Sequence, residues 1–147
     1  MSYPVAPGRS PVANAVYGIL NPIPFGCFVA ALVFDIAYAK SATVLFGKAA
    51  AWLVCLGLVV AIIPRLISLF QVFVTSRRTS THADHVDFWL NFVAIVAAIL
   101  NAFVHSRDAY AIVPAAMWLS ALTVLLIAIG HAVIAVRYSS GREYVHG

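Results

Sequence analysis

The stretch VVAIIPRLISLFQVFV, Val59–Val74, decides how this chain is read. It is apolar apart from Arg65, Ser68 and Gln71, and its arginine directly follows a proline. Either Pro64 and Arg65 end a buried helix, or they stand inside a helix that continues. The run from Ala49 to Pro64 falls short of a comfortable span, because a helix needs roughly 20 apolar residues to cross about 30 Å of hydrocarbon. Leu66–Val74 is too apolar to lie in water. Proline is tolerated in membrane helices, where neighbours re-satisfy the backbone it frees. The stretch is therefore expected to be one proline-interrupted transmembrane helix, with Arg65 inside the bilayer.

Composition makes the bilayer unavoidable. Of 147 residues, 63% are hydrophobic and only 10% charged, and the mean hydropathy is +0.98. A soluble domain has roughly 25% charged residues, and a short chain buries only about two thirds of its surface. So much apolar surface has no place in a single aqueous core. The net charge of +4 is spread over single residues rather than gathered on one face. That distribution suits loops facing anionic lipid and argues against a nucleic-acid partner. Cys27 and Cys55 fall in apolar runs without CxxC or metal spacing, so free thiols are expected and a zinc site is not. Ala37-Tyr38-Ala39 before Lys40 imitates a signal-peptidase site. The apolar run ahead of it is too long for that and holds Pro22, Pro24 and Asp35, so it reads as a retained helix.

Four spans follow from hydropathy: about 17–39, 49–74, 86–104 and 112–136, between a tail at 1–15 and a polar end at 139–147. Short loops between them give an all-α, integral membrane, up-down four-helix bundle with both termini on one side. Arg9, Arg77, Arg78, Arg137 and Arg142 lie on that side, and Lys40, Lys48 and Arg107 on the other. The excess places both termini in the cytoplasm, in a bacterial inner membrane. Tyr17, Trp89 and Tyr138 fall at the inner interface, and Tyr38, Trp52 and Tyr110 at the outer one.

Each span carries a polar and small-residue stripe. On the third, Asp84, Asp87, Asn91, Ala94, Ala98, Asn101 and His105 are spaced three and four apart, which aligns them on one face. The fourth offers Ala116, Ser120, Thr123, Ile127, Gly130, Ile134 and Arg137. The first offers Asn21, Pro24, Phe28, Ala31, Asp35 and Tyr38. The second offers Gly47, Ala51, Val54, Leu58, Ala61, Arg65, Ser68 and Val72. Small residues at mid-depth let helices pack closely in lipid. The stripes predict an outer layer of Asp35, Asn101, His105 and Arg107, with Lys48 and Asp108 nearby. An inner layer would hold Asn21, Arg65, Gln71, Asp87, Asn91 and His131. At 1.5 Å rise per residue, Asn91 falls within reach of Arg65, and Asp35 belongs to the opposite half.

These residues suggest more than one activity. An ionisable residue inside the membrane is a functional candidate by default. Arg65 does not give up its proton, however, so a packing role near Asn91 is the stronger reading. His85 and His131 come from helix ends at the same face, where two imidazoles can ligate haem b. Neither lies deep on its helix, so the expected state is without cofactor, with haem b or quinone the alternative. Arg65 and Asp35 together motivate a solute or ion carrier. Nothing in the sequence forms a nucleophile with a base, a phosphate loop or a metal cluster, so no catalytic or metal residue is assigned and an enzyme is not expected. The leading expectation is an accessory or scaffold subunit, with a membrane-protein partner or a second copy and lipid around it.

Three stretches carry a resemblance: LNPIPFGCFVAALVFDIAYAK from Leu20, DFWLNFVAIVAAILNAFVHSRDAY from Asp87, and the terminal REYVHG. With these the chain resembles a bacterial membrane family catalogued as domain of unknown function 2231, from about Leu20 to the C-terminus. The resemblance implies four transmembrane helices and supplies no reaction. Asn21 stands where members often carry a histidine, and the third helix opens on Asp87-Phe88-Trp89 rather than a histidine. On that resemblance, a haem site is further weakened here.

Overall fold

The computed structural model describes residues 12, 19–20, 22–70, 82–107 and 111–143, the side chains of 67–70, 82–84 and 137–143 excepted. Four helices lie within these residues: α1 (Pro22–Ser41), α2 (Val44–Phe70), α3 (His82–His105) and α4 (Ala115–Glu143). Each contains a segment long and apolar enough to cross a membrane: Pro22–Ser41, Val44–Leu66, His85–His105 and Ala115–Val136. The chain is an all-α bundle of four membrane-spanning helices.

The opening question is settled by α2, which runs through Pro64 to Phe70. Arg65 is an internal residue of that helix. α2 also starts at Val44, ahead of the Ala49 boundary drawn from hydropathy, because Gly47 and Lys48 interrupt an apolar run without interrupting a helix. Ala42 and Thr43 alone join α1 to α2. The turn is closed by Ala42 N–H donating to the Tyr38 carbonyl at 2.8 Å and by Ala42 in the left-handed region at φ 53°. Ser41 Oγ donates back to the Ala37 carbonyl at 2.8 Å. So short a turn makes α1 and α2 a tight antiparallel hairpin.

α3 and α4 form the second hairpin, and these two hairpins hold the most extensive helix contacts. α1 packs on α4 and α2 on α3, which closes a ring in the order α1, α2, α3, α4. α1 and α3 thus stand across a diagonal. The stripes turn inward: Asn91, Ala94, Ala98 and Asn101 of α3 are buried, as are Ala116, Ser120, Thr123, Ile127 and Gly130 of α4. Phe28, Ala94, Ala98 and Ile127 make a dry layer at mid-depth. Tyr38, Val104, Ile112 and Ala116 make another near the α1 C-terminus.

On α2, Gly47, Val54 and Ala61 are buried as the expected stripe had them, and the rest of the buried face is turned by one residue. Ala50, Gly57 and Pro64 are buried where Ala51, Leu58 and Arg65 were expected to centre it. The smaller residues win because α1 comes so close. A Cβ at Gly57 would stand 2.9 Å from Phe28 Cε1 and 3.2 Å from Cys27 Cβ. Tyr38, expected in the outer aromatic belt, is 5% exposed and lies over Gly47 instead. Trp52 and Trp89 do face outward, at 78% and 56% exposure. Tyr17, Tyr110 and Tyr138 lie outside the described residues or side chains.

Candidate functional site

The bundle holds two polar clusters at different depths. The outer one joins three helices. The side chain of Asp35 is 1% exposed, and so is that of His105. His105 Nε2 lies 2.8 Å from Asp35 Oδ1, linking α3 to α1 across the diagonal. His105 Nδ1 donates to the Asn101 carbonyl at 2.9 Å. Asn101 Nδ2 donates to Ser120 Oγ at 2.7 Å, and Ser120 Oγ donates to Asp35 Oδ2 at 2.5 Å. Both carboxylate oxygens are therefore engaged. Asn101 Oδ1 is buried and makes no hydrogen bond.

Local sequence explains this placement. Asn101 and His105 are four apart on α3, so they share one face and the imidazole folds back onto the preceding turn. Asp35 comes from the last turns of α1, and Ser120 from the second turn of α4, both at the same membrane level as His105 in an antiparallel ring. In hydrocarbon an unpaired polar group costs several kcal/mol, so four polar groups at one level are driven to meet each other.

Of the residues expected in the outer layer, Asp35, Asn101 and His105 are brought together. Lys48 and Arg107 are exposed and stand outside the cluster, because a long side chain near a helix end extends to water. Asp108 lies outside the described residues. Ser120 was not singled out as a site residue, although its place on the α4 stripe carried the signal.

The inner cluster gathers around Gly130. Asn91 Nδ2 donates to Asp87 Oδ1 at 2.8 Å and to the Asp87 carbonyl at 2.9 Å. A Cβ at Gly130 would stand 2.7 Å from Asp87 Oδ1 and 3.1 Å from Asn91 Nδ2, so the bare backbone of α4 makes room for this pair. His131, the next residue, packs edge-on against Phe25 of α1 with ring centroids 5.6 Å apart. Arg65 lines the same groove as Phe88 and Phe92 of α3, which places it in this half of the bundle. His131 Nε2 and Asn91 Oδ1 are buried without a hydrogen bond. His85 is exposed on α3 while His131 looks inward, so the two candidate haem ligands sit in different surroundings. Asn21 and Gln71 lie outside the described residues.

Two further features complete the inventory. An apolar groove of about 300 Å³ runs along the α2–α3 seam, lined by Leu58, Ala61, Ile62, Phe88 and Phe92 with Arg65 at its edge. Among the described residues, no group of three or more His, Cys, Asp or Glu side chains is arranged to hold a metal ion. No curated protein and no solved structure matches the chain. Residues 15–145 match the family described as predicted membrane protein (DUF2231), and the chain belongs to that family.

Proposed function

We propose that this membrane protein is a non-catalytic accessory or scaffold subunit of a membrane complex. One observation carries the reading: Asp35, His105, Asn101 and Ser120 hydrogen-bond to one another, with Asn101 Oδ1 alone of their side-chain polar atoms left over, above a dry layer of Phe28, Ala94, Ala98 and Ile127. A carrier needs groups that turn towards a solute at successive depths, and this interior is closed between its two polar levels. The α2–α3 groove adds support, since its apolar walls suit the side chains of a neighbouring helix. The proposal takes the chain as neither an enzyme nor a holder of haem. It also takes the bacterial inner membrane as the location, with both termini in the cytoplasm.

The test is photo-crosslinking in native membranes, with the reactive residue at Ile62 or Phe92 in the groove and at Leu125 on exposed α4. A discrete protein adduct from the groove positions, absent from Leu125, is expected. Lipid adducts alone at all three positions would overturn the proposal. An absorption spectrum of the purified protein provides a second check, because a Soret band would return haem b to first place.

A further inference from the structure

Proton counting in the outer cluster leads to a site that helix packing does not require. A neutral imidazole has one N–H, and an ionised carboxylate can only accept. His105 Nδ1 faces the Asn101 carbonyl at 2.9 Å, and that oxygen can only accept, so Nδ1 carries a hydrogen. His105 Nε2 then faces Asp35 Oδ1 at 2.8 Å. Two lone pairs at that distance repel, so a second hydrogen lies between these atoms. It sits on Nε2, giving imidazolium beside carboxylate, or on Oδ1, giving carboxylic acid beside neutral imidazole. Both forms have the same proton count and no net charge. Ser120 does not supply this hydrogen: its Oγ accepts from Asn101 Nδ2, and its own hydrogen goes to Asp35 Oδ2.

We propose that Asp35 and His105 form a binding site for one exchangeable proton, and that releasing it weakens the link between α1 and α3, from an ion pair to at most one hydrogen bond from a neutral imidazole. Release leaves a carboxylate and a neutral imidazole, a net charge of −1 inside the bundle. The imidazole then has one N–H for two acceptors, Asp35 Oδ1 and the Asn101 carbonyl. One contact must be lost, or water must enter to serve it. Among the described residues, the cations at this end of the bundle, Lys40 on α1, Lys48 on α2 and Arg107 beyond α3, are exposed, Tyr38 on α1 is buried, and the α4 group that touches the pair is the hydroxyl of Ser120. The inference is independent of the scaffold reading, since a carrier or a sensor would use the same site.

The experiment is a pH titration of the whole protein in lipid nanodiscs with ¹⁵N-labelled histidine. Infrared spectra and a spin-label distance between Ile36 and Phe103, in a background without Cys27 and Cys55, are recorded in parallel. His105→Gln assigns the nitrogen signals, and Asp35→Asn assigns the carboxyl band. Below about pH 6, the expected result is two protonated His105 ring nitrogens, or a protonated Asp35 carboxyl with one protonated nitrogen. As pH rises, one proton leaves in a single step and the Ile36–Phe103 distance distribution widens in that step. A neutral imidazole beside an ionised carboxylate throughout would overturn the proposal. So would a pair that keeps its proton to about pH 9, or one that loses it with the distance unchanged. The titration uses the native side chains, so it decides the matter even if the variants fail to fold.

Discussion

Two glycines of the first hairpin permit a controlled comparison of helix propensity with close packing. Gly26 on α1 has open space where a Cβ would stand, whereas Gly57 on α2 has three heavy atoms within 3.2 Å. Both are internal to helices, so alanine at either gains about 1 kcal/mol of helix propensity. At Gly57 that gain is opposed. Carbon atoms rest at about 3.5–4.0 Å, and the new methyl would lie 2.9 and 3.1 Å from the Phe28 ring and 3.2 Å from Cys27 Cβ. Phe28 is 2% exposed and packed on Ala94, Ala98 and Ile127, so the ring has nowhere to retreat. α1 and α2 must part by roughly half an ångström, which forfeits about a quarter of the dispersion attraction across the seam. Overpacking of this kind costs about 1–3 kcal/mol. Because the propensity term cancels between the two variants, Gly57→Ala should be less stable than Gly26→Ala by about 1–3 kcal/mol. Reversible unfolding in mixed micelles, followed by far-ultraviolet circular dichroism, measures the difference. Equal stability, or a more stable Gly57→Ala, would refute the close approach of α1 to α2.

Two further outcomes probe the outer cluster and the membrane placement. Ser120→Ala removes the hydroxyl between Asn101 and Asp35, and should destabilise the bundle by about 0.6–1.7 kcal/mol in the same unfolding assay; an unchanged midpoint would mean that the three-helix link contributes nothing. Cys55 lies at the middle of the Val44–Leu66 span and is exposed, so it should face lipid about 16 Å from either end. A nitroxide on Cys55, with Cys27 replaced by alanine, should collide with oxygen and not with a water-soluble nickel chelate, and ready access of the chelate would contradict the span.

Depth along each helix was legible in the sequence, because 1.5 Å per residue and antiparallel order fix it. That is why Asp35, Asn101 and His105 could be assigned to one layer before their contacts were known. Rotation about each helix axis was legible where polar residues marked a face, as on α3, and less so on α2. There Arg65 drew the expected face towards itself, while Ala50 and Gly57, which carry no polarity, set the true one. Lateral order was not legible at all. Which helices stand on a diagonal comes from three-dimensional packing, so the partnership of His105 on α3 with Asp35 on α1, and the place of Ser120 between Asn101 and Asp35, had no unique signature. The same limit applies to His85 and His131: equal depth assigns them to one level, while their exposure differs, His85 being exposed and His131 half-buried.

The two seams between the hairpins are built differently, and this has a consequence for how the bundle would open. Lipid tails are as apolar as leucine, so helices in a bilayer associate through close packing and polar contacts rather than by escaping solvent. The α1–α4 seam has both: Asp35 meets Ser120 at 2.5 Å, and Tyr38 packs with Ala116. The α2–α3 seam contains the apolar groove, with Arg65 among the residues that line it. An opening of the bundle between α2 and α3 would leave α1 and α4 as the hinge side. The diagonal contact between Asp35 and His105 is what restrains α3 from following that motion. The proposed proton on that pair would strengthen the hydrogen-bonded link between α1 and α3, which would tie the ionisation of one buried pair to how far the hairpins can part.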